Sequence, residues 1–239
     1  MHGCGNDFIV IDGPLEITPE GARHICDRRR GIGADGILTI GWQKGGRWLV
    51  TLHNADGSLG ESCGNGARCV GRYLLDRHGG DSVELSFVGG DVSARREGES
   101  IAITLRAPSP PEPIRIDGRQ AYRTSVGNPH VVIFVPEPDA VDLPALAASA
   151  RAIAGEANVG AAGIVDGGLV TLRVDERGVG ETLACGTGAC AAVSAAMCVQ
   201  PMADTVRVRV RGGDLVVRTG PKTFELSGPA EYAFEGTFP

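Results

Sequence analysis

Along the chain, apolar positions come in short runs punctuated by glycine and proline, and two stretches break that rhythm by recurring at helical spacing. The first half opens with a polar turn and a short buried run, Phe8–Ile11, which predicts a strand. Thr18-Pro19-Glu20 supplies an N-cap, a proline at the first helical position and an early acid. The helix it opens is expected to run to about Arg29, with Gly31 as its stop. Strands follow at Ile37–Ile40 and, after Gly45-Gly46, at Arg47–His53. Beyond Cys63, the apolar positions Cys69, Val70, Tyr73 and Leu74 predict a helix ending near His78-Gly79-Gly80. Strands at Ser82–Val88, Gly90–Arg95 and Ile101–Leu105 lead to the proline-rich 107–113, read as a linker.

The second half repeats the plan. Strands are expected around Arg115–Ile116, Ala121–Ser125 and Val131–Val135, then an alanine-rich helix at Leu143–Ile153. Gly167-Gly168 turns into strand Leu169–Asp175, Cys185 precedes a helix of small residues, and strands at 205–211, 214–218 and 222–227 close the chain. Each half is a set of short strands around one central helix, so an internal duplication explains both. The fold class is therefore α/β in composition (α+β in arrangement), with two pseudo-symmetric domains at 1–112 and 113–239. The C-terminal strand is available to complete the first of them.

The two breaks in the rhythm also carry the candidate chemistry. Cys63-Gly-Asn-Gly and Cys185-Gly-Thr-Gly each place a thiol at the start of a predicted helix. Unpaired backbone N–H groups there stabilise a thiolate and can hold a carboxylate. The two helix starts are expected to face each other across an interdomain cleft. A thiolate on one side of a carbon and a thiol on the other suit stereoinversion: one removes a proton, the other returns one, and no cofactor is needed. Two opposed sulfurs do not both ionise readily.

Composition narrows the alternatives. A formal net charge of −6 argues against a nucleic-acid partner, and Arg28-Arg29-Arg30 is read as a solvated helix end. No apolar run approaches the ~20 residues that span a bilayer, and no secretory signal opens the chain, so a cytoplasmic protein is expected. Cysteines spaced as Cys63/Cys69 and Cys185/Cys190 do not fit a zinc site, so no metal is expected. With two lysines and no dinucleotide fingerprint, neither pyridoxal phosphate nor a nicotinamide cofactor has an evident place. Cys4, Cys26, Cys69, Cys190 and Cys198 are read as buried or semi-buried small hydrophobes. Asp7 is read as closing the first turn.

The segments GNDF (5–8), NADGS (54–58), CGNGARC (63–69), GNPH (127–130), ERGVGETLACGTGAC (176–190) and GPAEYAFEG (228–236) resemble the diaminopimelate epimerase family, in its order and nearly end to end. The resemblance implies a pair of similar domains, each a mostly antiparallel sheet wrapped around a central helix. It also implies cofactor-independent interconversion of LL- and meso-diaminopimelate in lysine and cell-wall precursor synthesis, with a homodimer as the family's common assembly. By motif position Cys63 and Cys185 would be the acid/base pair, and Gly64, Asn65, Gly186 and Thr187 would hold the reacting carboxylate. Asn6, Asn54, Asn128, Asn158, Glu176 and Arg177 would hold the distal amino-acid end. Arg177 would pair its carboxylate and Glu176 its ammonium, and His130 would orient the site. The chain departs from the family at Gly36, where some members carry glutamine, and at Gly160-Ala161-Ala162-Gly163, a smaller run expected to loosen the pocket wall. It is also shorter than typical members. A proline, hydroxyproline or histidine racemase on the same fold is the nearest alternative, and a thiol-redox or metal-binding protein the alternative from another class.

Overall fold

The computed structural model describes residues 1–13, 15–43, 45–61 and 63–237. The chain divides into two compact units, one formed by Met1–Ile103 with the stretch from Gly228 onward, the other by Thr104–Ser227.

The first unit contains β1 (His2–Gly3), β2 (Asn6–Asp12), α1 (Pro19–Cys26), β3 (Gly36–Gln43), β4 (Arg47–Asn54), β5 (Leu59–Gly60), α2 (Gly64–His78), β6 (Ser82–Phe87), β7 (Gly90–Glu97) and β8 (Ser100–Arg106), the last running past the unit's boundary. The second contains β9 (Glu112–Ile116), β10 (Arg119–Ser125), β11 (Pro129–Phe134), α3 (Leu143–Ala154), β12 (Asn158–Asp166), β13 (Leu169–Glu176), β14 (Gly180–Thr182), α4 (Gly186–Ala196), β15 (Thr205–Val210), β16 (Gly213–Arg218) and β17 (Thr223–Gly228). Their ladders follow one scheme. In the first unit β2 pairs β3 in parallel, β3 pairs β4 and β4 pairs β5 antiparallel, β4 pairs β6 in parallel, and β6–β7–β8 is an antiparallel meander. In the second, β11 through β17 repeat those relations strand for strand. Each parallel pair is bridged by a helix, as a parallel connection requires: α1 and α3 close the first crossover of each unit, α2 and α4 the second. The duplication is thus a duplication of topology, and Cys63 and Cys185 occupy equivalent places in it.

The central helices are buried nearly all round. Helix α2 buries Val70, Leu74 and Leu75 together with Asn65 and Arg68. Nine residues of α4 are buried, all of them Gly, Ala, Cys or Val, so backbone can approach it from every side. On α2 the closest approach is at Gly71, where a Cβ would lie 2.7 Å from the Cβ of Ala94. Alanine would gain about 1 kcal/mol of helix propensity but force helix and strand apart, at about 1–3 kcal/mol. Gly71→Ala is expected to lower the urea midpoint, and a raised midpoint would show that this contact yields freely.

Several local expectations change. Helix α1 ends at Cys26 rather than near Arg29, because the Asp27 carboxylate accepts the amides of Arg29 and Arg30 (2.8 and 2.9 Å) and bends the chain out of the helix. Arg28 therefore lies past the helix end and, though exposed as expected, is held by ion pairs. Its guanidinium pairs with Asp7 (2.7 Å) and Asp35 (2.9 Å), so Asp7 holds this cluster rather than merely closing a turn. The 107–113 segment is irregular only to Pro111; β9 begins at Glu112, with Pro113 opposite Tyr122 near the strand's start, where a missing N–H is tolerated. Cys198 is exposed, whereas Cys4, Cys26, Cys69 and Cys190 are buried.

Both departures from the family pattern have a packing reason. A Cβ at Gly36 would meet the His53 carbonyl at 2.8 Å, so a side chain there requires β3 and β4 to shift. The 160–163 run lies inside β12 with Ala161 and Ala162 fully buried, and a Cβ at Gly163 would meet Thr171 and Pro138 at 2.8 and 3.0 Å. This segment is close-packed sheet and not a loosened wall.

Candidate active site

In the first unit the second crossover delivers Cys63 to the N-cap of α2 with extended backbone (φ −145°, ψ 120°). Its Sγ accepts from the Gly66 amide at 3.5 Å, the contact that favours a thiolate at a helix start. Asn6, at the start of β2, turns its Oδ1 toward the same sulfur at 3.8 Å. Asn65 on α2 donates to that Oδ1 at 3.0 Å. Cys63, Asn6 and Asn65 therefore form one cluster, with Gly64 beginning the helix beside them. Asn54 ends β4 and donates to Ser58 at 3.0 Å, within the turn whose geometry Asp56 also fixes.

The second unit builds the corresponding corner from different residues. Cys185 caps α4 and is 4% exposed. Burial pushes its thiol well above the ordinary value and the Glu176 carboxylate pushes the same way. The Thr187 hydroxyl, 3.6 Å from the sulfur, and the Gly188 amide, which approaches it without closing a cap hydrogen bond, act in the opposite sense. Thr187 lies 3.1 Å from His130 Nε2, and Asn128 Oδ1 lies 3.1 Å from the same nitrogen. Asn128, His130, Thr187 and Cys185 thus form a continuous chain of polar contacts, with Gly186 opening the helix. Glu176, at the end of β13, accepts from the Thr182 hydroxyl at 2.7 Å. Asn158 Oδ1 accepts the backbone amide of Arg177 at 2.9 Å, which fixes the turn that carries the Arg177 side chain into solvent.

His130 is charge-neutral through the physiological range, because burial pushes it down to about 4; His53 is lowered for the same reason. The unfolded chain takes up protons near the ordinary value of 6.5 that the folded chain refuses. Stability is therefore complete above that value and falls as the pH drops from about 6.5 toward 4. The urea midpoint is expected to decline across that window, beginning above the range where the carboxylates titrate. An NMR titration in which His130 protonates near 6.5 would contradict this.

Three residues that the sequence reading did not single out complete the two corners: Arg68 and Asp35 around Asn65 and Asn6, and Thr182 beside Glu176. Arg68 left a signal in the sequence, an arginine three positions after Asn65 and so on the same helix face. Among the described residues no cluster of three His, Cys, Asp or Glu is placed to hold a metal ion, and no helix is long and apolar enough to cross a membrane.

Residues 1–105 and 122–231 match the family model described as diaminopimelate epimerase. The diaminopimelate epimerase of Sphingopyxis alaskensis is 36% identical, over 99% of this chain and 94% of its own. Among solved structures, a phenazine biosynthesis PhzC/PhzF protein from Clostridium difficile superposes with TM-score 0.75 at 13% identity, over 98% of this chain and 93% of its own. One from Agrobacterium radiobacter K84, described as a probable proline racemase, gives 0.71 at 14% identity over 98% and 92%. At such identities these structures establish a shared fold and nothing more.

Proposed function

Because this chain belongs to the diaminopimelate epimerase family, we propose that it is an isomerase that interconverts LL- and meso-diaminopimelate with Cys63 and Cys185 as its acid/base pair. One observation carries the reading: both thiols cap the central helix of their own copy of a duplicated topology. In the forward step the thiolate of one cysteine takes the α-proton, leaving the electron pair delocalised into the α-carboxylate. The thiol of the other delivers its proton to the opposite face of the same carbon, and the two sulfurs exchange protonation states. The N–H groups of Gly64, Asn65, Gly186 and Thr187, at the two helix starts, stabilise the charge that develops on the carboxylate. Thr187 and neutral His130 orient the Cys185 corner.

At the distal end Arg177, exposed and without an ion pair among the described residues, supplies the cation for a second carboxylate. Glu176 and the amides of Asn54, Asn128 and Asn158 supply the acceptors and donors that an ammonium and a carboxylate require together, while Asn6, its amide engaged by Cys63, Asn65 and Asp35, belongs to the reacting end. The enzyme needs no cofactor for this chemistry, and on the family's pattern it works in the cytoplasm as a homodimer, which sedimentation of the purified protein tests.

The reaction itself is tested by incubating reduced protein with LL-diaminopimelate in deuterium oxide. Meso product carrying one solvent deuterium at the inverted α-carbon is the expected outcome. Absence of conversion by a folded, fully reduced protein, with turnover of proline, hydroxyproline or histidine, would transfer the assignment to a racemase of the same fold.

A further inference from the structure

Arg68 is the largest fully buried side chain among the described residues, and it is a cation. Its Nη2 donates to Asn65 Oδ1 at 2.9 Å and its Nε to the Pro229 carbonyl at 3.3 Å, while Gly3 leaves the guanidinium its space. A guanidinium only donates, so Asn65 must turn its oxygen toward Arg68 and its Nδ2 away. That Nδ2 donates to Asn6 Oδ1 at 3.0 Å. At the far side Asp35 Oδ2 accepts from Asn6 Nδ2 at 2.7 Å, and a carboxylate only accepts. Asp35 is itself held by Arg28 at 2.9 Å. Side-chain amides are ordinarily free to present either end. Here both are fixed by ions, a cation at one end of the chain and an anion at the other.

From this geometry we infer that Arg68 and Asp35 are positioning residues for Cys63: two independent clamps that keep a carbonyl oxygen of Asn6, never its N–H, against the sulfur. Either clamp alone suffices. With Asp35 gone, Asn65 still offers a donor that only the Asn6 oxygen can meet. With Arg68 gone, Asp35 still claims the Asn6 nitrogen. The consequence is chemical. The Asn6 oxygen accepts from S–H and so supports Cys63 as a proton donor, opposing the Gly66 amide that supports its thiolate. The sulfur is held between the two forms it must alternate between. The charged and ionisable groups facing this corner include Asp7, Asp35 and Arg28 on the Asn6 side, Arg68 and Cys69 on the helix that Cys63 caps, Cys4 in the preceding turn, and the Met1 amino group beside β2. The inference rests on Cys63 being an acid/base group, but its test reads the sulfur and not turnover, so an error in the substrate assignment leaves it standing.

The test is a double-mutant cycle on the full-length reduced protein: unaltered, Arg68→Lys, Asp35→Ala and both. The rate of iodoacetamide alkylation of Cys63, resolved from Cys185 by peptide mass spectrometry, is followed against pH. Arg68→Lys keeps the buried charge but cannot reach Asn65 and Pro229 together. Each single variant is expected to stay within about threefold of the unaltered rate near neutral pH, the double to exceed the product of the two by about tenfold or more. In the double variant the Cys63 profile shifts to lower pH, because an N–H can now turn to the thiolate, while Cys185 is unmoved. Multiplicative effects, a single variant equal to the double, or parallel changes at Cys185 would each overturn the proposal. Should Arg68→Lys fail to fold, Arg68→Met takes its place in the cycle: it keeps the apolar stem, offers Asn65 no donor, and the same non-additivity is required.

Discussion

Alanine at Cys63 or at Cys185 is expected to lower epimerisation by at least about 10³-fold, within the range that positioned acid–base groups supply. Stability should change little at Cys63, which is only half-buried, and more at Cys185, where a buried sulfur leaves a cavity. The informative part lies in what survives. A variant with one thiol can still remove the α-proton that faces it and return solvent deuterium to the same face. Residual α-deuterium uptake should therefore proceed with retention, on one stereoisomer for Cys63→Ala and on the other for Cys185→Ala. Either variant retaining activity within about tenfold of the unaltered enzyme would remove that cysteine from the mechanism.

Arg177→Met is expected to be the largest loss outside the thiols. Its guanidinium stands exposed on a turn pinned through its own backbone by Asn158, so the substitution removes a charge without disturbing the fold. Truncating one partner of a desolvated charge pair costs about 2–5 kcal/mol, so kcat/KM for diaminopimelate should fall about 30-fold or more. The loss should be confined to substrates with a distal carboxylate. An unchanged kcat/KM would remove Arg177 from substrate binding, and with it the residue argument against a monocarboxylic substrate.

Much of this site could be read from residues alone because its two thiols announce themselves locally. Glycines directly after a cysteine and then apolar helical spacing define a cap without tertiary information, and both helices begin one residue after Cys63 and Cys185. The strands were legible wherever β-branched runs met glycine turns. What escaped was interaction at a distance. Asp7 and Arg28 are read separately as a turn residue and a solvated helix end, and only folding reveals that they share Asp35. Asn158 was visible as a candidate, yet its bond to the amide of Arg177 depends on β12 and β13 lying side by side. Gly36 and the 160–163 run looked like departures from a pattern. They are answers to the His53 carbonyl and to Pro138, neighbours that are remote in sequence.

The return of the chain to its first unit has a consequence for synthesis. His2 and Glu231 exchange backbone hydrogen bonds at 2.9 and 2.8 Å, and the Pro229 carbonyl accepts from Arg68. Residues 104–227, by contrast, form a contiguous unit. A ribosome adding ~5–20 residues per second therefore offers that later-made unit all of its own partners first, while the earlier-made stretch waits on the order of ten seconds for its last segment. The nascent chain should gain protease resistance in its second unit before its first, an inversion of the usual order in which domains mature.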